Sequence, residues 1–247
     1  MKEKIDAVII CFNEEDVIED AIKSLKSFAV NILVIDSAST DKTVELAKKS
    51  GAHVVIRKFE NFSDQRNFAI REVRSPWVIY LDADERLTPD FKKEAALKID
   101  EGAFSAFTIK RKTFYFNKDW GFNDKVVRVF KVDKFDKWSG VVHETANVKG
   151  EIGVINSPVL HFTHRNIEQM VEKTNKWSEY EAQLRYGTNH PKMRPWRFVR
   201  VMVTEFMRSY FSGGGYKNGT YGFIESMYQA YSIFITYAKL WEMQKGK

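Results

Sequence analysis

The feature that most constrains this chain is the alternation of short apolar runs with helical patterns through its first hundred residues. "IDAVIIC" (5 to 11), "NILVID" (31 to 36), "HVVIRK" (53 to 58) and "WVIYLD" (77 to 82) are too short for helices and nearly continuous in hydrophobicity, as strands covered on both faces are. Between them, "EEDVIEDAIKSLKSF" (14 to 28) sets Val17, Ile18, Ala21, Ile22 and Leu25 on one helical face, "DKTVELAKKSG" (41 to 51) closes at Gly51, and "DQRNFAIREV" follows Ser63. Asn13 and Ser63 are the expected N-caps of the first and third helices, and Thr88 with Pro89 opens a fourth. Strands separated by helices pair in parallel through right-handed crossovers, so the expected class is α/β, with helices on both faces of a mainly parallel sheet.

The pattern changes after residue 100. "FSAFTIKR", "KVVRVFK", "SGVVHETANVKG" and "EIGVINSPVLHF" are strand-like with turns between them, an antiparallel extension of the same sheet. From Ile167 onward the pattern is helical again, broken at Pro191, Pro195 and "SGGGYKNGTYG". The expected organisation is one domain over 1–165, with halves 1–100 and 101–165, and a C-terminal helical appendage over 166–247.

In such a sheet, ligands bind beyond the carboxyl ends of the parallel strands. Three of those ends carry polar clusters: Asn13 and Glu14, Asp36 to Thr40, and Asp82 to Glu85. The last contains D-x-D, a common chance pattern whose weight comes from its place at a strand end. Alternate residues leaving a strand point the same way, so Asp82 and Asp84 can present hard oxygen ligands to Mg²⁺ or Mn²⁺, and through it to a diphosphate. The acid that follows, Glu85, is expected in the first turn of the next helix. "CFNEED" after the first strand lacks the G-x-G-x-x-G of dinucleotide-binding folds, and "SGGGYKNG" lacks both the spacing and the preceding strand of a P-loop.

"VIICFNEEDVIEDAIKSL", "ILVIDSASTDKTVELAKKSGA", "FSDQRNFAI" and "WVIYLDADERLTPDF", in this order and at these separations, resemble the family 2 glycosyltransferases of the GT-A fold, a Rossmann-like nucleotide-binding architecture. "RVFK", "GVVHE" and "LHFTH" are more loosely similar to the branch that includes bacterial lipopolysaccharide-core β-glucosyltransferases. The resemblance implies a nucleotide sugar such as UDP-glucose as donor, a saccharide or lipid-linked acceptor, and Mg²⁺ or Mn²⁺. It assigns Phe12, Asn13 and Glu14 to the nucleotide pocket, and Asp36 to the base, where a carboxylate can accept the imide N–H of uracil. Arg66 reaches the nucleotide or its diphosphate, Arg128 either contacts phosphate or points outward, Asp84 is the principal metal ligand, and Asp82 lies near the ribose or the metal. His161 is a further ligand or a hydrogen-bonded structural residue.

An inverting transfer needs one general base to deprotonate the acceptor hydroxyl. Glu144 in "GVVHE" is the first candidate, with His143 placed to orient it or the acceptor, and Asp124 in "GFNDKVV" is the second. The competing class is a non-catalytic nucleotide- or membrane-surface-binding protein on the same fold.

Composition narrows the partners. A formal charge of +6 suits an anionic partner, but no nucleic-acid-binding motif accompanies it. The single cysteine, Cys11, excludes an intrachain disulfide and fits a reducing compartment, and the first residues carry no secretory pattern. The expected location is therefore the cytoplasm, including the cytoplasmic face of the inner membrane. "WRFVRVMVTEFMRSYF" sets Trp196, Val199, Val203, Phe206 and Tyr210 on one helical face. That face leaves three readings open: peripheral contact with a membrane, cover for the sheet, or a homo-oligomer contact.

Overall fold

A computed structural model describes residues 5–140 and 144–246, so His143 lies outside the described residues. The elements are β1 Ile5–Cys11, α1 Ile18–Leu25, β2 Ile32–Asp36, α2 Thr43–Lys49, β3 His53–Ile56, α3 Phe62–Ala69, β4 Trp77–Asp82, β5 Glu85–Leu87, α4 Pro89–Glu101, β6 Ala106–Tyr115, β7 Lys118–Lys131, β8 Phe135–Ser139, β9 Thr145–Val148, β10 Ile152–Thr163, α5 Ile167–Gly187, α6 Pro195–Met207 and α7 Gly219–Gln244. Eight strands form one sheet in the order β3-β2-β1-β4-β7-β6-β10-β5, and β8 pairs with β9 in a separate ribbon. β3, β2, β1 and β4 are parallel, whereas β7 joins β4 and β5 joins β10 in antiparallel fashion. The sheet is thus mixed, as the change of pattern near residue 100 predicts.

The two faces of β1 are separated by the strand period. Ile5, Ala7, Ile9 and Cys11 join a core with Ile18, Ile22 and Leu25 of α1 and Phe91 of α4, while Val8 and Ile10 join another with Ala69 of α3, Trp138 of β8 and Ala146 of β9. Each fully buried Ile or Leu contributes about 1.5–3 kcal/mol. Asp6, buried among them, accepts from the backbone N–H groups of Arg74 and Ser75, from Ser75 Oγ and from Asn31 Nδ2. Burial works against its charge, but these donors outweigh it and hold the carboxyl below its ordinary range.

Several expectations are corrected. Asn13 does not cap α1, which begins after Val17; its backbone is left-handed (φ 53°) and its side chain accepts from Thr40 N–H. Asn61 rather than Ser63 caps α3, because only its Oδ1 reaches the Asp64 N–H, and Ser63 instead donates to the Gly140 carbonyl. Glu85 lies not in a helix but in β5, opposite His161 of β10, while Thr88 caps α4 with Pro89 at its first turn, as expected.

The chain forms two compact units, Met1–Thr113 with Asn123–His161 and Phe114–Phe122 with Phe162–Lys247, so that β6, β7 and β10 are divided between them. In the second unit α7 packs on α5 through Tyr228, which donates to the Met170 carbonyl, and around Ala182, Met193 and Leu240. Among the described residues no helix is long and apolar enough to cross a membrane. The helical face expected to carry five apolar residues divides: Phe206 and Tyr210 pack against Phe223 of α7, whereas Trp196, Val199 and Val203 stay exposed.

Candidate active site

Register brings the polar strand ends together. Cys11 stands opposite Asp36 and Ile10 opposite Asp82, so the loops after β1, β2 and β4 meet at one sheet edge. The first two are tied by Asn13 N–H to Ser39 Oγ (2.8 Å), Thr40 N–H to Asn13 Oδ1 (2.9 Å) and Glu14 N–H to Thr43 Oγ1 (2.8 Å). Phe12 is exposed on this edge. Asp36 is buried, and its carboxylate accepts from Ser39 N–H at 2.8 Å and Ser39 Oγ at 2.5 Å. Each of its oxygens thus helps to shape the loop and keeps further lone-pair capacity. Cys11 Sγ lies 3.5 Å from the same carboxylate, and burial followed by that negative charge pushes the thiol far above its ordinary range.

Beside this loop wall lies a group of charges, all in the first unit. Asp82, at the end of β4, accepts from Arg66 Nη2 (2.8 Å) on one oxygen and from Arg128 Nη2 (3.1 Å) on the other, with Arg111 Nη1 at 3.8 Å. Partial burial alone would raise its carboxyl pKa, but Arg128, Arg66 and Arg111 outweigh it and hold the group well below the carboxylate range. Arg66 also reaches Glu144 Oε1 through Nε (3.0 Å) and Nη2 (2.9 Å). Arg128 is buried and faces Asp82, with Nη1 4.0 Å from Glu144 Oε1, so it does not alternate outward. Trp138 lies under both arginines, its ring 5.0 Å from the Arg66 guanidinium and 5.5 Å from that of Arg128.

On the other side, Asp124 is claimed by Arg111, which donates through Nε to Oδ1 (2.8 Å) and pairs through Nη2 with Oδ2. Glu85, fully buried, accepts from the Asp82 N–H at 2.9 Å and pairs with Arg111 at 3.3 Å. Burial and the neighbouring Asp82 charge raise its pKa despite the arginines. His161 Nε2 lies 3.5 Å from Asp84 Oδ2, and its Nδ1 lies 3.5 Å from Thr113 Oγ1. Burial opposes the imidazolium, but the Asp84 charge prevails and raises the His161 pKa. His164, by contrast, belongs to the second unit, where its Nδ1 meets the buried Glu225 at 2.9 Å and its ring stacks on Tyr115.

Asp82, Arg66, Arg128 and Glu144 therefore form one connected set, and Asp84 with His161 forms an adjoining pair. Phe12, Asn13, Glu14 and Asp36 form the loop wall. Asp124 is bound up with Arg111. Three residues were not anticipated: Arg111, hidden in the basic run "KRK" where nothing separates it from its neighbours; Trp138; and the buried role of Glu85.

The donor set decides how a divalent ion would be held here. Asp82, Asp84, Glu85, Asp124 and Glu144 outnumber Arg66, Arg111 and Arg128, so the group carries acid in excess. Among the described residues no cluster of three metal-ligating side chains is present. Asp84 with His161 fits a divalent ion held by few protein ligands and completed by phosphate oxygens and water, whereas Asp82 already has both oxygens engaged by arginines. Among the described residues Arg66 Nη1 and Arg128 Nε and Nη1 are buried without an acceptor, donors of the kind that suit phosphate.

The geometry defines a charged site at the edge of an α/β sheet where the parallel strands end. Residues 6–150 match the family model described as Glycosyl transferase family 2, and the chain belongs to that family. It is a glycosyltransferase of the GT-A fold. It is 28% identical over 262 residues to an uncharacterized glycosyltransferase of Rickettsia bellii, spanning 98% of this chain and 88% of that protein. It is 29% identical over 258 residues to the lipopolysaccharide core biosynthesis glycosyltransferase LpsC of Rhizobium meliloti, spanning 96% and 92%. Among solved structures, glucosyl-3-phosphoglycerate synthase from Mycobacterium tuberculosis, in complex with Mn²⁺, UDP and glucosyl-3-phosphoglycerate, overlaps 46% of this chain and 44% of that one, with 24% identity and a TM-score of 0.39.

Proposed function

We propose that this chain is an inverting hexosyltransferase that moves a sugar from a UDP-linked donor to a cell-envelope saccharide such as a lipopolysaccharide core. The observation that carries the catalytic assignment is the unequal engagement of the two candidate bases. Both oxygens of Asp124 are held by Arg111, whereas among the described residues the arginine contacts to Glu144 are made to Oε1, which leaves Oε2 to accept a proton. The family membership and the likeness to LpsC support the class of reaction and of acceptor.

In the proposed step the acceptor hydroxyl oxygen bonds to the anomeric carbon as the bond from that carbon to the diphosphate oxygen breaks. The bonding pair leaves with the nucleoside diphosphate, and the hydroxyl proton passes to Glu144 Oε2. Arg66 holds Glu144 in place and, with Arg128, offers N–H donors to phosphate. Asp84 and His161 would hold Mg²⁺ or Mn²⁺, which when bound offsets the charge developing on the leaving diphosphate. Asp36 keeps the pocket wall in shape through Ser39, and the lone pairs that those bonds leave are what it offers to the base.

The test is a panel of UDP-sugars incubated with the protein, with and without Mn²⁺, while UDP release is followed. One donor should turn over in a metal-dependent manner, and Asp84→Ala should abolish that turnover in a protein that still melts cooperatively. Full activity in the variant would overturn the metal assignment, and metal-independent nucleotide binding without turnover of any donor would favour the non-catalytic class.

A further inference from the structure

Helix α6 carries two apolar faces, and the fold uses one of them. Phe198 packs against Phe234 of α7 at 5.7 Å between ring centroids, and Phe206 packs edge-on against Phe223 at 6.0 Å. The other face runs Trp196, Val199, Val203 and Met207, with Phe211 in the turn that follows. These five are 55%, 62%, 56%, 49% and 53% exposed, and α6 has no fully buried residue at all. Single exposed apolar residues are ordinary, but an uninterrupted stripe of five at helical spacing on a helix with another apolar face already packed is not.

The charge around this stripe identifies what it fits. Residues 192–247 carry nine Lys and Arg against three acids, the whole of the chain's formal +6, while residues 1–191 balance at thirty of each. Of the three acids, Glu225 is buried against His164, and Glu205 is paired with Arg208. Lys192, Arg194, Arg197 and Arg200 lead into or flank the stripe. Arg197 and Arg200 lie over the Trp196 ring, at 4.9 Å and 5.7 Å. An apolar stripe beside a one-sided row of arginines, with an amphipathic Trp between them, matches the boundary between acyl chains and anionic headgroups. A protein partner or a second copy of this chain would meet the same stripe, but a second copy brings its own arginines against these across an isologous contact.

We propose that the exposed face of α6 docks on an anionic bilayer surface, with Trp196, Val199, Val203 and Met207 entering the headgroup region and Arg194, Arg197 and Arg200 pairing with lipid phosphates. The surface is built from residues of the second unit and shares none with the donor site, so it is tested apart from the transfer reaction. The whole chain would be sedimented with vesicles of phosphatidylglycerol in phosphatidylcholine and with vesicles of phosphatidylcholine alone, at low and high salt. Binding should require phosphatidylglycerol and weaken on raising the salt, because the headgroup attraction is screened. The double variant Val199→Asp with Val203→Asp, and separately Arg197→Glu with Arg200→Glu, should each lower the vesicle partition coefficient by about tenfold or more. Both pairs leave the apolar contacts between α6 and α7 in place, so thermal melting should match wild type and UDP release should continue in solution. Equal binding to neutral and anionic vesicles, or no binding to either, would overturn the proposal. So would sedimentation equilibrium showing a wild-type dimer that the Val199→Asp, Val203→Asp variant dissolves, since the stripe would then be an interface between copies.

Discussion

At the scale of single residues, the site depends on how its acids divide the arginines. Arg66 is shared by Asp82 and Glu144, Arg128 leans on Asp82, and Arg111 is spent on Asp124 and Glu85. This division separates the two candidate bases more sharply than their places in the sequence do. Glu144→Gln keeps an oxygen for Arg66 but cannot take a proton, so turnover should fall by about 10²–10⁴-fold while donor affinity stays near wild type. Asp124→Asn releases Arg111 towards Glu85 and Asp82 but removes no proton acceptor from the reaction, and should cost no more than about tenfold. The two variants are compared by the rate of UDP release in the presence of acceptor. A larger loss for Asp124→Asn than for Glu144→Gln would reverse the assignment. Arg66 and Arg128 were legible as candidates from "QRN" and "VRVF", but their shared contact with Asp82 was not, because it joins residues from α3, β4 and β7. No local pattern records such a convergence.

At the scale of elements, helix α3 does two things at once. Arg66 enters the site, while Asn67, the next residue, grips β8: its Nδ2 donates to the Trp138 carbonyl at 2.9 Å and its Oδ1 accepts from the Trp138 N–H at 2.8 Å. Ser63 adds a bond to the Gly140 carbonyl at 2.5 Å. β8 pairs with β9 through Ser139 opposite Thr145, the neighbour of Glu144. The ribbon therefore carries both the base candidate and the Trp138 platform under the arginines, and α3 fixes it in place. Asn67→Leu fills the same space without either hydrogen bond. It should destabilise the fold by about 1–3 kcal/mol and lower kcat by roughly tenfold with little change in donor affinity, because it misplaces Glu144 rather than the loop wall. Unchanged kcat in a detectably less stable variant would show the clamp to be structural only. The four parallel strands and the α4 cap were readable because apolar runs and a Thr-Pro start are local signals. β5, β8 and the Asn61 cap were not: β5 and β8 are short and rich in charge, and the choice between Asn61 and Ser63 depends on where the chain leaves β3.

At the scale of the whole molecule, chemistry and net charge are segregated. Every residue assigned to donor, metal or base lies within the first unit, where the parallel strands end, while the formal positive charge resides in the helices of the second. The sequence pattern showed the first half of this division through strand ends, and hid the second, because a helical face is not marked as covered or uncovered until its neighbours are placed. Ligand linkage gives the consequence a measurable form. A donor product that binds only the folded protein stabilises it by about 2.7 kcal/mol when present at 100 times its dissociation constant. Hydrogen exchange with saturating UDP and Mn²⁺ should therefore slow most in the loops 12–15, 36–43 and 82–88, and in the backbone around Arg66. Amides 195–207 of α6 should keep their ordinary exchange until phosphatidylglycerol vesicles are added, when the protection should appear there and leave the three loops unchanged. UDP-dependent slowing of equal size throughout residues 162–246 would show that the donor is not held by the first unit alone, because a ligand held at the strand ends slows exchange chiefly in the unit that holds it.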